Sequence, residues 1–146
     1  MRRHIAAYLA TIVVVMLMAG CKKPIGSTIC HVNPHKWSRC AEIEYDNRDT
    51  TSLRTISFYV RVNSSFDTKE LPVSISIESP DSTRCIEQQT WSFDSERTAT
   101  PTTTVKRIDY RNHCKLNKKG LYKFAVTPSE SIRGIEAVGL IIEKER

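Results

Sequence analysis

The chain has 146 residues and a formal charge of +6, from 22 Lys and Arg against 16 Asp and Glu. A hydrophobic share of 40% is too high for a disordered chain, and the length suits one domain with a core of its own. None of the five glycines (Gly20, Gly26, Gly120, Gly134, Gly139) stands in a phosphate-binding motif, which excludes the common nucleotide-binding loops.

In chain order, Arg2 and Arg3 precede an uncharged run over residues 5–20, whose sixteen residues fall short of the ~18–20 that a membrane-spanning helix needs. A positive start, an apolar middle and the small pair Ala19-Gly20 are the marks of a secretory signal, expected here as a helix over residues 1–20. Cys21 follows directly and resembles the cysteine of a bacterial lipobox, which becomes the acylated first residue of the mature chain. At ~0.8 kcal/mol per buried methylene, two or three acyl chains such as palmitate hold a protein on a membrane without any spanning helix. Removing the signal leaves 146 − 20 = 126 residues with a net charge of 20 − 16 = +4. Residues 21–35, with Pro24 and Gly26 and few apolar side chains, are expected to act as a tether.

Residues 36–146 carry a hydrophobic period of two. Ile56, Phe58, Val60 and Val62 alternate with polar neighbours, and so do Leu71, Val73, Ile75 and Ile77. Such alternation describes strands with one dry and one wet face. Pro72, which has no N–H, suits a strand start or an edge. Weaker strands are expected at 41–45, 85–93 and 105–110. Two strong ones close the chain, the first with Tyr122, Phe124 and Val126 on one face and the second with Val138, Leu140 and Ile142. The short connection between them predicts that these last two strands pair and share one inner face. About seven strands separated by turn clusters predict an all-β fold, an antiparallel β-sandwich of immunoglobulin-like or jelly-roll-like kind.

Four further cysteines, Cys30, Cys40, Cys85 and Cys114, are an even number in an exported chain and read as two disulfides, with Cys30–Cys40 and Cys85–Cys114 the preferred pairing among three. His31, His35 and His113 lie near them, but no CxxC spacing exists and Pro34 disfavours a helix that would align the first two, so no metal site is expected. No catalytic residues and no cofactor are expected either. There is no GxSxG elbow. Asp94 and Glu96 are too close along an extended chain for an acid/base pair, and adjacent His113 and Cys114 point apart on one. Seven basic residues between Lys106 and Lys123, against the single acid Asp109, read chiefly as a solvated hairpin. The alternative is a patch facing anionic lipid or an acidic partner.

The segment GLYKFAVTPSESIRGIEAVGLIIEK, residues 120–144, resembles the end of the gliding-motility lipoprotein GldH family of the Bacteroidota. Gly120, Tyr122 and Phe124 match the family's G-x-Y-x-F strand, and Ile132, Gly134, Ile135, Val138, Gly139 and Leu140 match its closing strand. The lipobox, the segment around Trp37 and the paired strands ISFYVRVN and LPVSISIESPD agree in order and length, whereas the four extra cysteines lie outside the pattern. The resemblance implies a non-catalytic envelope protein with no catalytic residues to carry over. It would be anchored through Cys21 in the outer membrane and have envelope protein partners; Lys22 and Lys23, with no acidic run after them, predict the periplasmic side, and the modest charge of an exported chain predicts no nucleic-acid partner. The competing reading is a glycan- or ligand-binding sandwich that uses Trp37, Tyr59 or Trp91 as an exposed aromatic platform.

Overall fold

The computed structural model describes residues 27–93 and 103–145; the signal segment, Cys21 and most of the Thr-rich stretch after Phe93 lie outside the described residues. Eight strands form two four-stranded antiparallel sheets that pack as a β-sandwich. The strands are β1 (Ser27–His31), β2 (Ala41–Asn47), β3 (Arg54–Asn63), β4 (Glu70–Glu78), β5 (Arg84–Ser92), β6 (Thr103–Cys114), β7 (Gly120–Pro128) and β8 (Ile135–Lys144). Sheet I has the order β1-β8-β3-β6 and sheet II the order β2-β7-β4-β5. The seven strands expected from alternation are all present.

The eighth, β1, corrects the tether. Ser27–His31 pairs with β8 from Ser27↔Ile141 to His31↔Ala137, so the sandwich begins inside the segment read as a linker. Five residues, STICH, are too few and too mixed to show a period; β8 supplies the ladder that the side chains do not announce.

The expected pairing of the last two strands is also corrected. β7 lies between β2 and β4 in sheet II, and β8 lies between β1 and β3 in sheet I. Alternation reports which side chains face inward, not which strand lies alongside. All six named side chains are nonetheless buried in a single core cluster. Along β3 and β8 the inner pairs are Ile56↔Ile142, Phe58↔Leu140 and Val60↔Val138. The facing layer of sheet II contributes Ile43, Val73, Ile75, Phe124 and Val126. Only β4 and β5 are joined by a hairpin within one sheet; the other connections cross between sheets. Pro72 sits just beyond the β4–β7 ladder, which starts at Val73↔Pro128, so its missing donor leaves no gap there.

The connections also seal the ends. Trp37, between β1 and β2, exchanges backbone hydrogen bonds with Ile132 (2.7 and 3.0 Å) and is buried at the end that also holds Phe66. Gly134 is required there. Its φ is +88°, and a Cβ would stand 2.3 Å from the backbone nitrogen of Phe66. At the opposite end Leu116 is buried, and Asn47 Nδ2 donates to the carbonyls of Leu116 and Lys118, both at 2.9 Å.

Phe124 is fully buried at the centre of sheet II. Phe124→Ala should lower unfolding stability by about 3–5 kcal/mol, read from denaturant titrations. An unchanged midpoint would mean that Phe124 is not part of the core.

Candidate interaction surface

The outer face of sheet I is built in rows set by strand register. One row runs Ile29, Gly139, Tyr59, Arg107 across β1, β8, β3 and β6. The tyrosine ring lies across the glycine: a Cβ on Gly139 would stand 1.9 Å from Tyr59 Cζ. Glycine therefore acts as a seat, holding the ring flat against the sheet with its other side toward solvent. Exposed Ile29 and Val105 flank this centre, and Arg61 occupies the next position on β3.

A polar lattice fixes the rest of the face. Ser57, fully buried, donates to Asp109 Oδ1 at 2.9 Å and accepts from Arg107 Nη2 at 3.0 Å. Arg107 also reaches Glu143 Oε2 at 2.6 Å and Asp109 Oδ1 at 3.2 Å. The Ser57 hydrogen bond, then that from Arg107, hold the Asp109 carboxyl below its ordinary range, and the Glu143 hydrogen bond raises Arg107. Such half-exposed pairs add little stability, but they hold the planar groups in place around the ring.

The aromatics expected to form a platform are divided. Trp37 is buried, with Nε1 donating to the Arg39 carbonyl at 2.7 Å. Trp91 is buried against Phe58, ring centroids 5.7 Å apart. Tyr59 alone of the three lies on an outer face. The sequence marked it as the polar-side member of an alternating run and as one of three platform candidates; its place across the ladder from Gly139 is set by the register.

The basic stretch is dispersed. Arg107 lies on the outer face, and Lys106 points inward over the Phe93 ring at 5.6 Å. Arg111 pairs with Glu87, and Lys118 with Asp81. Lys115 and Lys119 are exposed in the β6–β7 connection and have no acidic partner among the described residues.

All four described cysteines are free thiols, so neither expected bridge is present in this structure. Cys114 donates to the Arg54 carbonyl at 3.3 Å, and burial pushes its thiol up. Cys85 is turned to Glu87 Oε1 of its own strand at 3.9 Å, and Cys30 to the His31 carbonyl at 3.7 Å. His113 has φ +53° and places Nδ1 2.5 Å from Glu145 Oε2, so its ring and the Cys114 thiol serve different partners. Among the described residues no three His, Cys, Asp or Glu side chains converge as a metal would require.

Between the edge strands β5 and β6 the sheets are linked by Tyr110, whose hydroxyl donates to Glu87 Oε2 at 2.7 Å. At the Trp37 end, a cleft of about 470 Å³ is lined by residues of mixed charge, including Asp67, Glu130 and Arg133.

No protein-family model and no curated protein matches the chain. Solved structures similar to it include a family GH115 4-O-methyl-α-glucuronidase, BtGH115A, with specificity for decorated arabinogalactans, at 8% identity and TM-score 0.44 over 76% of this chain and 14% of that one. TmCBM61 in complex with β-1,4-galactotriose is similar at 13% identity and TM-score 0.41, over 87% of this chain and 86% of that one. Dimeric latent PorU from Porphyromonas gingivalis follows at 11% identity and TM-score 0.38, over 87% and 14%. No site residue is carried over from any of them.

Burial, and then the Glu87 hydrogen bond, push the Tyr110 hydroxyl up to about 12. A raised folded value means that the stabilisation is complete below the ordinary tyrosine range near 10 and is lost as pH rises through about 12. The ultraviolet difference titration between the parent and Tyr110→Phe should therefore show a midpoint near 12, and Glu87→Gln should lower it. A midpoint near 10 would show that β5 and β6 do not meet at this contact.

Proposed function

We propose that this chain is an exported, lipid-anchored, non-catalytic β-sandwich that acts as an interaction module in a bacterial envelope assembly, on the periplasmic side of the outer membrane. The observation that carries this reading is the use made of the large aromatics. Both tryptophans are spent on the core, and the half-buried Tyr59 ring lies flat on the outer face of sheet I over Gly139, with Arg61, Arg107, Ile29 and Val105 around it. Tyrosine and arginine around an apolar centre are the composition that concentrates binding energy in protein–protein contacts. The lipobox at Cys21 and the likeness of residues 120–144 to the GldH family support the envelope setting; both glycines of the closing motif serve the fold or this face.

Cys21→Ser should yield unprocessed precursor or a detergent-independent soluble form; full membrane retention would remove the anchor from this account. Crosslinking in native membranes should trap a neighbour, with Tyr59→Ala lowering the yield tenfold or more while leaving the melting curve nearly unchanged. Gly139→Ala, which forces the ring from its seat, should do the same. If Tyr59→Ala abolishes saturable binding of a soluble oligosaccharide instead, the face is a sugar site and the ligand-binding alternative replaces the assembly role.

We further propose that oxidation in the envelope pairs Cys30 with Cys40 and Cys85 with Cys114. Cys30 lies on β1 and Cys40 directly before β2, while Cys85 and Cys114 lie on β5 and β6, so each pair joins the two sheets along one edge of the sandwich. Non-reducing peptide mapping of exported protein should find these two bridges; four alkylatable thiols would refute them.

A further inference from the structure

The chain leaves sheet I at Ser27, which is level with Ile141 of β8. Three residues further along β8, Lys144 pairs with Arg54, and Arg54 pairs with Cys114 on its other side, marking one rim of the sandwich. Because β1 runs antiparallel to β8, its start points toward that rim. Five residues lie between Cys21 and Ser27, six chain steps with a reach of at most ~20 Å, and the rim itself lies ~10 Å from Ser27. A lipid on Cys21 can therefore bring this rim to the bilayer, and the Trp37 end is the more distant of the two.

The side chains at that rim fit such a neighbour. The connections 48–53, 79–83 and 115–119 lie there, and Leu53 stands exposed. Four acids at this end are already matched to cations, Asp46 to Arg48, Asp49 to Arg54 and Lys144, Glu78 to Arg84, and Asp81 to Lys118, while Glu145 accepts from the His113 backbone N–H and the Thr55 hydroxyl. What remains is Lys115 and Lys119, exposed and without an acid among the described residues. The opposite end also carries cations, Lys36, Arg39 and Lys69, but Glu70 and Glu130 stand among them.

We propose that the β6–β7 connection, with Lys115 and Lys119 at its tip and Leu53 beside it, docks against the anionic phosphates of the bilayer that holds the lipid anchor. The inference rests on acylation at Cys21. Long lysine stems let the ammonium groups reach the headgroups while the loop backbone stays at the surface. Two such lysines favour the docked orientation roughly thirty-fold on an anionic surface over a neutral one, and salt weakens the preference.

The test uses the acylated full-length lipoprotein reconstituted in vesicles of phosphatidylcholine, with or without phosphatidylglycerol. Mass spectrometry of the N-terminal peptide first establishes the acyl group on Cys21, independently of any docking. Amide hydrogen exchange should then slow in residues 115–119 and 48–53 on phosphatidylglycerol vesicles only, with residues 129–134 unchanged. The double variant Lys115→Glu, Lys119→Glu should stay anchored and folded but lose the protection. Acylated protein that shows no protection, or protection at residues 129–134, overturns the docking proposal and leaves the anchor standing. An unmodified Cys21 removes the anchor and the docking proposal together.

Discussion

Phe58 and Leu140, paired across β3 and β8, are both shut away from water, as are Ile75 and Phe124 in the opposing sheet. Everything else in the molecule depends on this dry layer between the sheets. Each large apolar side chain fully buried there contributes roughly 1.5–3 kcal/mol, and no helix among the described residues offers an alternative cover. Because nearly every connection crosses from one sheet to the other, neither sheet is built from a continuous stretch of chain. The layer is therefore assembled from contacts distant in sequence. The inward side chains of β7 and β8, near neighbours along the chain, end up facing each other from opposite sheets instead of pairing edge to edge.

The same packing explains the two glycines that stand out in the closing segment. Gly134 allows the backbone of Phe66 to pass within a distance that any Cβ would block, which seals the far end. Gly139 leaves room on the outer face for a ring that has no place inside. The first use is structural. The second costs the β8 strand a side chain and lets the Tyr59 ring cover the bare backbone in its place. Ser57 belongs to the same argument. It is a fully buried hydroxyl on the outer face, satisfied only because Arg107 and Asp109 close over it.

Strands were legible in the sequence wherever alternation ran for five or more residues, as in ISFYVRV and LPVSISI. Partners were not legible, since period-two patterns fix a side chain's face and say nothing about its neighbour. β1 was hidden because a short edge strand draws its order from β8's ladder and not from its own side chains. The candidate surface was visible only in fragments. Tyr59 and Gly139 are eighty residues apart in the chain and acquire meaning from one register pair. The basic stretch misled in the opposite way: seven charges close in sequence are spread over β6, the following connection and β7, and three of them, Arg107, Arg111 and Lys118, are paired with acids distant in the chain.

The proposed anchor on Cys21 bears on how the two outer faces would be presented. With the Lys115 rim turned to the bilayer, the strands stand upright, and neither sheet face lies against lipid. Tyr59 is on the row of Gly139, two residues further from the rim than the Ile141 row where β1 begins. At ~3.3 Å per residue, the five positions from Lys144 to Gly139 place it ~16 Å from that rim, near the middle of the strands. On the docking proposal, a partner meeting this face would approach sideways, in the plane of the membrane. Confinement of both partners to one surface would raise their effective concentration, so a smaller contact would suffice than a freely diffusing partner needs.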